Sequence, residues 1–195
     1  MKISGRVNQR SLRKKIPRSK KFIRQTERNA KRKFDLELNR MIQDFNDHPI
    51  TQELENPNGP NISGTLGSLN TNLFNFIGFF ANDDPVQALR RALESSTTLS
   101  KKRTVKTVGR KVRVEYKVSM PSPILLKSVS KMPWSSKSWA FGVETGISGF
   151  NYFLNLKKRS SRSGKGIQSK FVVREGGFRP TEYITGILRR FVTRF

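Results

Sequence analysis

The side chains with the clearest catalytic or metal-binding chemistry are few and scattered. His48 is the single histidine among 195 residues and there is no cysteine, so one chain cannot supply the His and Cys clusters that bind zinc. Asp44 and Asp47 lie near His48, but an Asp-His-Pro sequence at a helix end is ordinarily structural. We therefore expect no metal, no cofactor and no enzymatic activity.

Two other patterns resemble catalytic motifs but lack a required feature. Asp83-Asp84 and the pair Glu53 and Glu55 bring carboxylates together, yet Asp84 suits a helix cap and the other carboxylates are expected to face solvent. Ser163-Gly164-Lys165-Gly166 is similar to a phosphate-binding loop, which also needs an earlier Gly and a Ser or Thr after the Lys. Arg stands at position 159 and Gly at position 166. We interpret this segment as a flexible basic loop.

The element that leads to His48 is a predicted long helix. Apolar residues recur at spacings of three and four from about Lys20 onward, which is typical of an amphipathic helix. Pro49 ends the pattern, because the residue before a proline is pushed out of the helical region. The apolar residues at these spacings are Phe22, Ile23, Ala30, Phe34, Leu38, Met41, Ile42 and Phe45.

The middle of the chain predicts a loop, a strand, a short helix and a hairpin. Residues 55–72 are rich in Asn, Gly, Pro and Ser, which indicates an irregular loop. The apolar run 73–80 predicts a buried strand, and the short helix 85–95 follows a cap at Asp84. Alternating valines predict a hairpin over 102–120.

The C-terminal part predicts further strands and a last helix. Residues 121–138 are interpreted as a loop with a short helical stretch, and 139–143 and 168–174 as strands. Residues 181–195 predict a terminal helix with one apolar face, which more often packs on protein than on a membrane. The longest apolar run is too short to span a bilayer, and we expect no membrane association.

These elements predict an α+β fold. A small antiparallel sheet would be packed by the long N-terminal helix and the C-terminal helix. Residues 1–20 form a basic arm that is flexible or ordered by a partner, and residues 21–195 form a single domain with loops at 55–72 and 157–166.

The charge of the chain is strongly basic and unevenly distributed. The 39 Lys and Arg against 14 Asp and Glu give a formal charge of +25. Residues 1–33 hold 14 bases and one acid, 34–100 hold three and nine, and 101–156 and 157–195 each hold 11 and two. Such a balance calls for polyanionic or acidic partners.

Two basic segments are the candidate binding sites. They bind nucleic acid, dock on an acidic protein surface or are simply solvated, and charge alone leaves these alternatives open. The N-terminal segment lacks the interleaved aromatic residues of single-strand binders. The candidate residues are Arg10, Arg13, Lys14, Lys15, Arg18, Lys20, Lys21 and Arg24, and then Lys157, Lys158, Arg159, Arg162 and Lys165.

Three short motifs carry a family resemblance. The loop at 60–66, with Pro60, Ser63, Gly64 and Leu66, resembles a Pro-x-Asp-Thr-Gly-x-Leu loop. Phe141-Gly142-Val143-Glu144-Thr145-Gly146 resembles an aromatic-x-Val-Glu-x-Gly strand motif, and Phe178-Arg179-Pro180 is similar to a Pro-Phe-containing lead into a terminal helix. In this order they resemble the tail-completion, or head–tail joining, proteins of tailed bacteriophages. The chain departs from the family in Ser63 for the Asp-Thr pair, in a longer 121–138 segment and in its basic arm.

The resemblance implies a structural role in the virion. Its members form a ring of identical subunits, often six, in the neck or tail between head connector and tail tube. The implied partners are other neck and tail proteins, with nonspecific contact to genome DNA, and the implied location is the virion after assembly in the host cytoplasm. The alternative from charge alone is a sequence-nonspecific nucleic-acid-binding protein of ribosomal or nucleoid type.

Overall fold

The long N-terminal helix α1 spans Lys20–Asn46. Ser19 caps it by accepting a hydrogen bond from the backbone N–H of Phe22 at 3.3 Å, and it ends just before His48-Pro49, as predicted. Only its second half is buried in the core, through residues that include Met41 and Phe45. The computed structural model describes residues 19–67, 72–108, 111–133, 135–146, 152–153, 167–168 and 179–194.

Five short helices each begin at a polar side chain that accepts a backbone N–H, which is the usual solution for the unpaired amides of a first turn. Three of them also place proline in the first turn, where its missing N–H costs nothing. They are α2 (Pro49–Glu55, capped by His48), α3 (Leu73–Ile77, Asn72), α4 (Pro85–Ser96, Asp84), α5 (Pro123–Val129, Ser122) and α6 (Trp139–Thr145, Ser138). The predicted helix after Asp84 is thereby confirmed.

Two predicted strands are wrong. Within the run 73–80, residues Leu73–Ile77 form helix α3, and residues 139–143 lie in helix α6. The first run is apolar at nearly every position, so its periodicity does not distinguish a strand from a buried helix. The helix is favoured by the Asn72 cap at its start and by Gly78, which ends it in the left-handed conformation at φ 84°. In α6 the Ser138 side chain accepts from the N–H of Phe141 at 3.2 Å and starts a helical turn.

The strands form three separate two-stranded antiparallel sheets within the described residues. The predicted hairpin is confirmed as β1 (Thr98–Val108) and β2 (Lys111–Ser119). The smaller sheets pair β3 (Lys131–Met132) with β4 (Ser135–Ser138), and β5 (Tyr152–Phe153) with β6 (Ile167–Gln168). The α+β fold class is confirmed, with a long N-terminal helix, small antiparallel sheets and a C-terminal helix.

The C-terminal helix α7 spans Ile184–Arg194 and packs against α1. The predicted apolar face, which comprises Tyr183, Ile184, Ile187, Leu188, Phe191, Val192 and Phe195, is confirmed in part. Tyr183, Ile184, Ile187 and Phe191 are buried, whereas Val192 is 51% exposed and Phe195 lies outside the described residues. The face therefore packs on protein, as expected, although its main neighbour is a helix and not a sheet. Among the helices that the structure describes, none has the length and apolar character to cross a membrane.

A chain of aromatic rings links the N-terminal and C-terminal halves through the core. Phe45 stacks on Tyr183 at 5.8 Å between ring centroids, and Tyr183 lies 6.1 Å from Trp139. Trp139 meets Phe79 edge-on at 6.3 Å, and Phe79 lies 5.3 Å from Phe74. Offset and edge-to-face pairs of this kind stabilise a core beyond their buried area. They join α1, α3, α6 and the segment before α7 into one hydrophobic core.

Candidate interaction surfaces

A buried carboxylate holds the loop that precedes α3. The side chain of Glu53 is only 1% exposed, and its two oxygens accept the backbone N–H of Ser63 at 2.9 Å and that of Leu73 at 2.5 Å. The prediction that Glu53 is solvated is therefore wrong. Helical spacing from Ile50, with Leu54 beside it, places Glu53 on the inward side of α2, although glutamate is rarely buried without partners.

Asn72 fastens the other part of the same loop. Its amide nitrogen donates to the carbonyl oxygens of Asn56 at 2.9 Å and Pro57 at 2.7 Å. Its amide oxygen accepts from the backbone N–H of Asn75 at 3.0 Å, and the Asn75 amide donates to the Pro57 carbonyl at 2.7 Å. Because buried polar groups with all partners in place fix a single geometry, these bonds anchor residues 56 and 57 to the start of α3.

The family-like loop at 60–66 has a buried end and an exposed tip. Leu66 is fully buried, whereas Pro60 and Gly64 are exposed and Ser63 is partly buried. Gly64 adopts φ 68°, which favours glycine over residues with a side chain. Ile62 lies at the tip with 48% of its surface exposed. The loop thus presents an apolar side chain on a fixed backbone.

Two of the family-like motifs, the loop at 60–66 and the segment 141–146, are each hydrogen-bonded to residues 179–181, which begin in the third motif. Phe178 of that third motif lies outside the described residues. The carbonyl of Thr65 accepts the N–H of Arg179 at 2.8 Å, and the carbonyl of Val143 accepts the N–H of Thr181 at 3.0 Å. Glu144 adds a third link, because one of its oxygens accepts the N–H of Thr185 at 2.7 Å, at the start of α7. The segment 141–146 makes these links as helix α6, not as the predicted strand.

His48 has a structural role in the same region. Its Nδ1 accepts the backbone N–H of Ile50 at 3.3 Å and thereby caps α2, and its Nε2 donates to the carbonyl of Glu182 at 3.2 Å. Burial lowers the pKa of His48 below its ordinary value of 6.5, against the opposing effect of the Glu182 carbonyl, and the nearby Arg190 lowers it further. The neutral imidazole is the form that both hydrogen bonds require.

The carboxylates of Asp83 and Asp84 each accept a nearby backbone N–H and do not form a shared binding site. Asp84 caps α4 by accepting the N–H of Gln87 at 3.0 Å, and Asp83 accepts the N–H of Phe80 at 2.8 Å. Among the residues that the structure describes, no three His, Asp or Glu side chains group as metal ligands would. The segment 163–166 lies outside the described residues.

Acidic residues of the middle segment neutralise arginines elsewhere in the fold. Asp44 of α1 lies 3.5 Å from the guanidinium of Arg190 and 3.0 Å from that of Arg194, both on α7. Glu55 forms an ion pair with Arg90 of α4. Because Arg90, Arg190 and Arg194 already have acidic neighbours, they add little to the excess positive charge of the surface.

The predicted basic residues are described only in part. Lys20, Lys21 and Arg24 lie in the first turns of α1 and are exposed. The structure brings these three onto one helix, while the others fall outside the residues it describes. Those others are Arg10, Arg13, Lys14, Lys15, Arg18, Lys157, Lys158, Arg159, Arg162 and Lys165.

The basic surface of α1 extends further than charge clustering indicated. Six exposed cations, which we call the α1 basic stripe, are Lys20, Lys21, Arg24, Arg28, Lys31 and Arg32. At about 100° per residue they fall within a sector of roughly 120° on the helix. The sequence does carry a signal for the second half of the stripe: Arg28, Lys31 and Arg32 follow Arg24 at the spacing that places residues on the same side of a helix.

The hairpin lies on the opposite side of α1 and presents a second basic face. The hydroxyl of Tyr116 on β2 donates to the hydroxyl of Thr26 at 3.1 Å, and Thr26 lies about 180° around the helix from the middle of the stripe. On the outer face of the hairpin Lys106 stands opposite Arg113 and pairs with Glu115 at 2.8 Å. The Lys106 hydrogen bond lowers the pKa of the Glu115 carboxyl.

Compared with known protein families, with curated proteins and with solved structures, the chain has no match.

Proposed function

We propose that this chain is a non-enzymatic structural subunit of the virion of a tailed bacteriophage, where it forms a ring that joins the head connector to the tail. The observation that carries the proposal is the convergence of two family-like motifs on the segment before α7. The loop at 60–66 and the segment 141–146 lie far apart in sequence, yet each is joined by a backbone hydrogen bond to the segment before α7, at Arg179 and at Thr181 respectively. Motifs that function together as one surface are expected to converge in this way.

The shape of the described chain also supports a ring subunit. The first half of α1 lies outside the hydrophobic core, buries none of its residues fully, and contacts the hairpin at Thr26. About 14 residues of helix span roughly 20 Å. Extensions of this length reach across to a neighbouring subunit, and their contacts add to those between the compact domains.

The family-like loop is suited to contact a neighbouring subunit. The Glu53 carboxylate accepts the N–H of Ser63 within the loop, and the Asn72 amide binds the Asn56 carbonyl shortly before it, so little conformational entropy is lost when the loop binds. The exposed Ile62 at its tip supplies apolar surface for that contact. In the proposed ring, the loop of one subunit packs on the next.

The decisive experiment is native mass spectrometry of the purified chain without nucleic acid, followed by negative-stain microscopy. We expect closed rings, and we expect the chain to co-purify with tail or connector particles from infected cells. A chain that stays monomeric at all concentrations, alone and with such particles, would contradict the proposal.

Two matched variants test the contact surface. Ile62→Asp is expected to weaken the ring without lowering the melting temperature, because its side chain is half-exposed in the subunit. Ile124→Asp is the control, since Ile124 is 81% exposed on α5. If both variants assemble like the original chain, the loop is not the contact.

A further inference from the structure

We infer that the α1 basic stripe is a binding face for duplex DNA, which it contacts through the phosphates and without sequence preference. This inference goes beyond the proposed function and does not depend on ring formation. All six cations of the stripe are exposed. None of the six forms an ion pair with another residue in the described part of the chain, in contrast to Arg190 and Arg194 of α7.

The spacing within the stripe places like charges beside one another along α1. Lys20, Arg24, Arg28 and Arg32 follow one another at intervals of four residues, and like charges at this spacing destabilise a helix by about 0.2–0.5 kcal/mol per pair. Glu27, four residues before Lys31, and Asp35, four residues after it, offset only part of the repulsion among six cations. A row of phosphates would remove this repulsion and stabilise the first half of α1.

The composition of the stripe favours nucleic acid over an acidic protein. Within residues 20–33 its sector contains no acidic, apolar or aromatic side chain. The centre of a protein–protein interface is ordinarily depleted of charge and enriched in aromatic residues, whereas a DNA interface is polar and strongly positive.

Duplex DNA fits better than a single strand. Proteins that bind single strands stack the bases on aromatic side chains, and the nearest aromatic residue, Phe22, lies outside the sector. The hairpin contacts α1 at Thr26, on the far side of the helix. With respect to the described residues, the stripe is therefore open along its length of roughly 18 Å. Contacts with phosphates along a duplex need only this exposed row of cations.

The test measures binding of the full chain to a labelled duplex of arbitrary sequence by fluorescence anisotropy over a series of salt concentrations. The variant Arg24→Gln/Arg28→Gln/Lys31→Gln removes three charges from the stripe. Each lost phosphate contact reduces the slope of log affinity against log salt by about 1, so we expect a reduction of about 3.

The matched control removes the same charge elsewhere. Arg91, Lys131 and Lys137 are exposed on α4, β3 and β4, and their triple substitution to Gln is expected to reduce the slope by less than about 1. Arg24→Lys/Arg28→Lys keeps the charge and is expected to keep the slope. Circular dichroism of each variant checks that α1 remains folded.

Three results would overturn the inference. The first is an equal loss in the stripe variant and the control, which would show only the effect of net charge. The second is an unchanged slope in the stripe variant. The third is binding of poly-glutamate as tightly as the duplex and with the same loss in the stripe variant, which would assign the face to an acidic protein. Ring formation is read separately by native mass spectrometry, so failure of the proposed function is distinguishable from failure of this inference.

Discussion

The buried Glu53 makes a sharp prediction about stability. Both of its oxygens accept backbone N–H groups, and the side chain is 1% exposed. Glu53→Gln keeps the shape but replaces one acceptor oxygen with an NH₂ group that faces an N–H donor. One hydrogen bond to a charged group is then lost and one buried N–H is unpaired, which costs about 2–4 kcal/mol.

The matched control is Glu55→Gln, two residues along the same helix. Glu55 is exposed and pairs with Arg90, and a surface ion pair contributes about 0–1 kcal/mol. For a chain of this size each kcal/mol shifts the melting temperature by about 2–4 °C. We therefore expect a drop of roughly 5–15 °C for Glu53→Gln and at most a few degrees for Glu55→Gln.

Thermal unfolding followed by circular dichroism measures the difference, and hydrogen exchange locates it. In Glu53→Gln, exchange should accelerate at the N–H of Ser63 and the N–H of Leu73, while the amides in the middle of α4 keep their protection. Equal and small changes in both variants would refute the reasoning, because the Glu53 carboxylate would then be solvated and would not hold the loop.

Three further predictions concern the segment before α7 and its neighbours. Glu144→Ala removes the acceptor for the N–H of Thr185 and should lower the free energy of unfolding in urea by about 1–2 kcal/mol, whereas Glu94→Ala, exposed on α4, should change it by less than about 0.5 kcal/mol. Tyr183→Phe leaves the buried hydroxyl of Thr51 without its partner at 2.7 Å and should lower the free energy of unfolding by about 1–2 kcal/mol. Tyr116→Phe, at the half-exposed Thr26 contact, should lower it by less. A larger loss for Tyr116→Phe would contradict the burial of the Tyr183–Thr51 hydrogen bond. The pKa of His48 is lowered in the folded state from 6.5, so the unfolded chain binds the proton more readily; stability from this residue is complete above about pH 6.5 and is lost as the pH falls through the lowered pKa. As the pH is lowered from about 7 to 5, the melting temperature should therefore fall more for the original chain than for His48→Asn, which keeps a capping side chain without titrating. Parallel curves for the two proteins would contradict the lowered pKa of His48.

Much of the local structure could be predicted because its signals are local. Lys20–Asn46 has a clear helical period, and Pro49 marks its end. Asp84-Pro85 forms the start of α4, and alternating valines form β2. In each case the pattern of apolar residues differs between helix and strand, and the ends carry capping or breaking residues.

The errors occur where the local pattern is ambiguous. The run Leu73–Ile77 is apolar at every position except Asn75, and Trp139–Val143 is too short for its period to be measured. Both segments form helices because a polar side chain, Asn72 or Ser138, caps the first turn. Their apolar side chains then pack in the surrounding core.

The sequence by itself determined the α+β class, the limits of the long helix and the excess of positive charge, since these follow from composition and period. Only the tertiary structure decided which charged side chains of the described residues form ion pairs within the chain and which stay exposed without one. Asp44 meets Arg190 and Arg194 because α7 packs on α1, and Glu53 becomes a buried acceptor because the loop folds over α2. Such pairings join residues far apart in sequence, and their positions depend on how the helices pack.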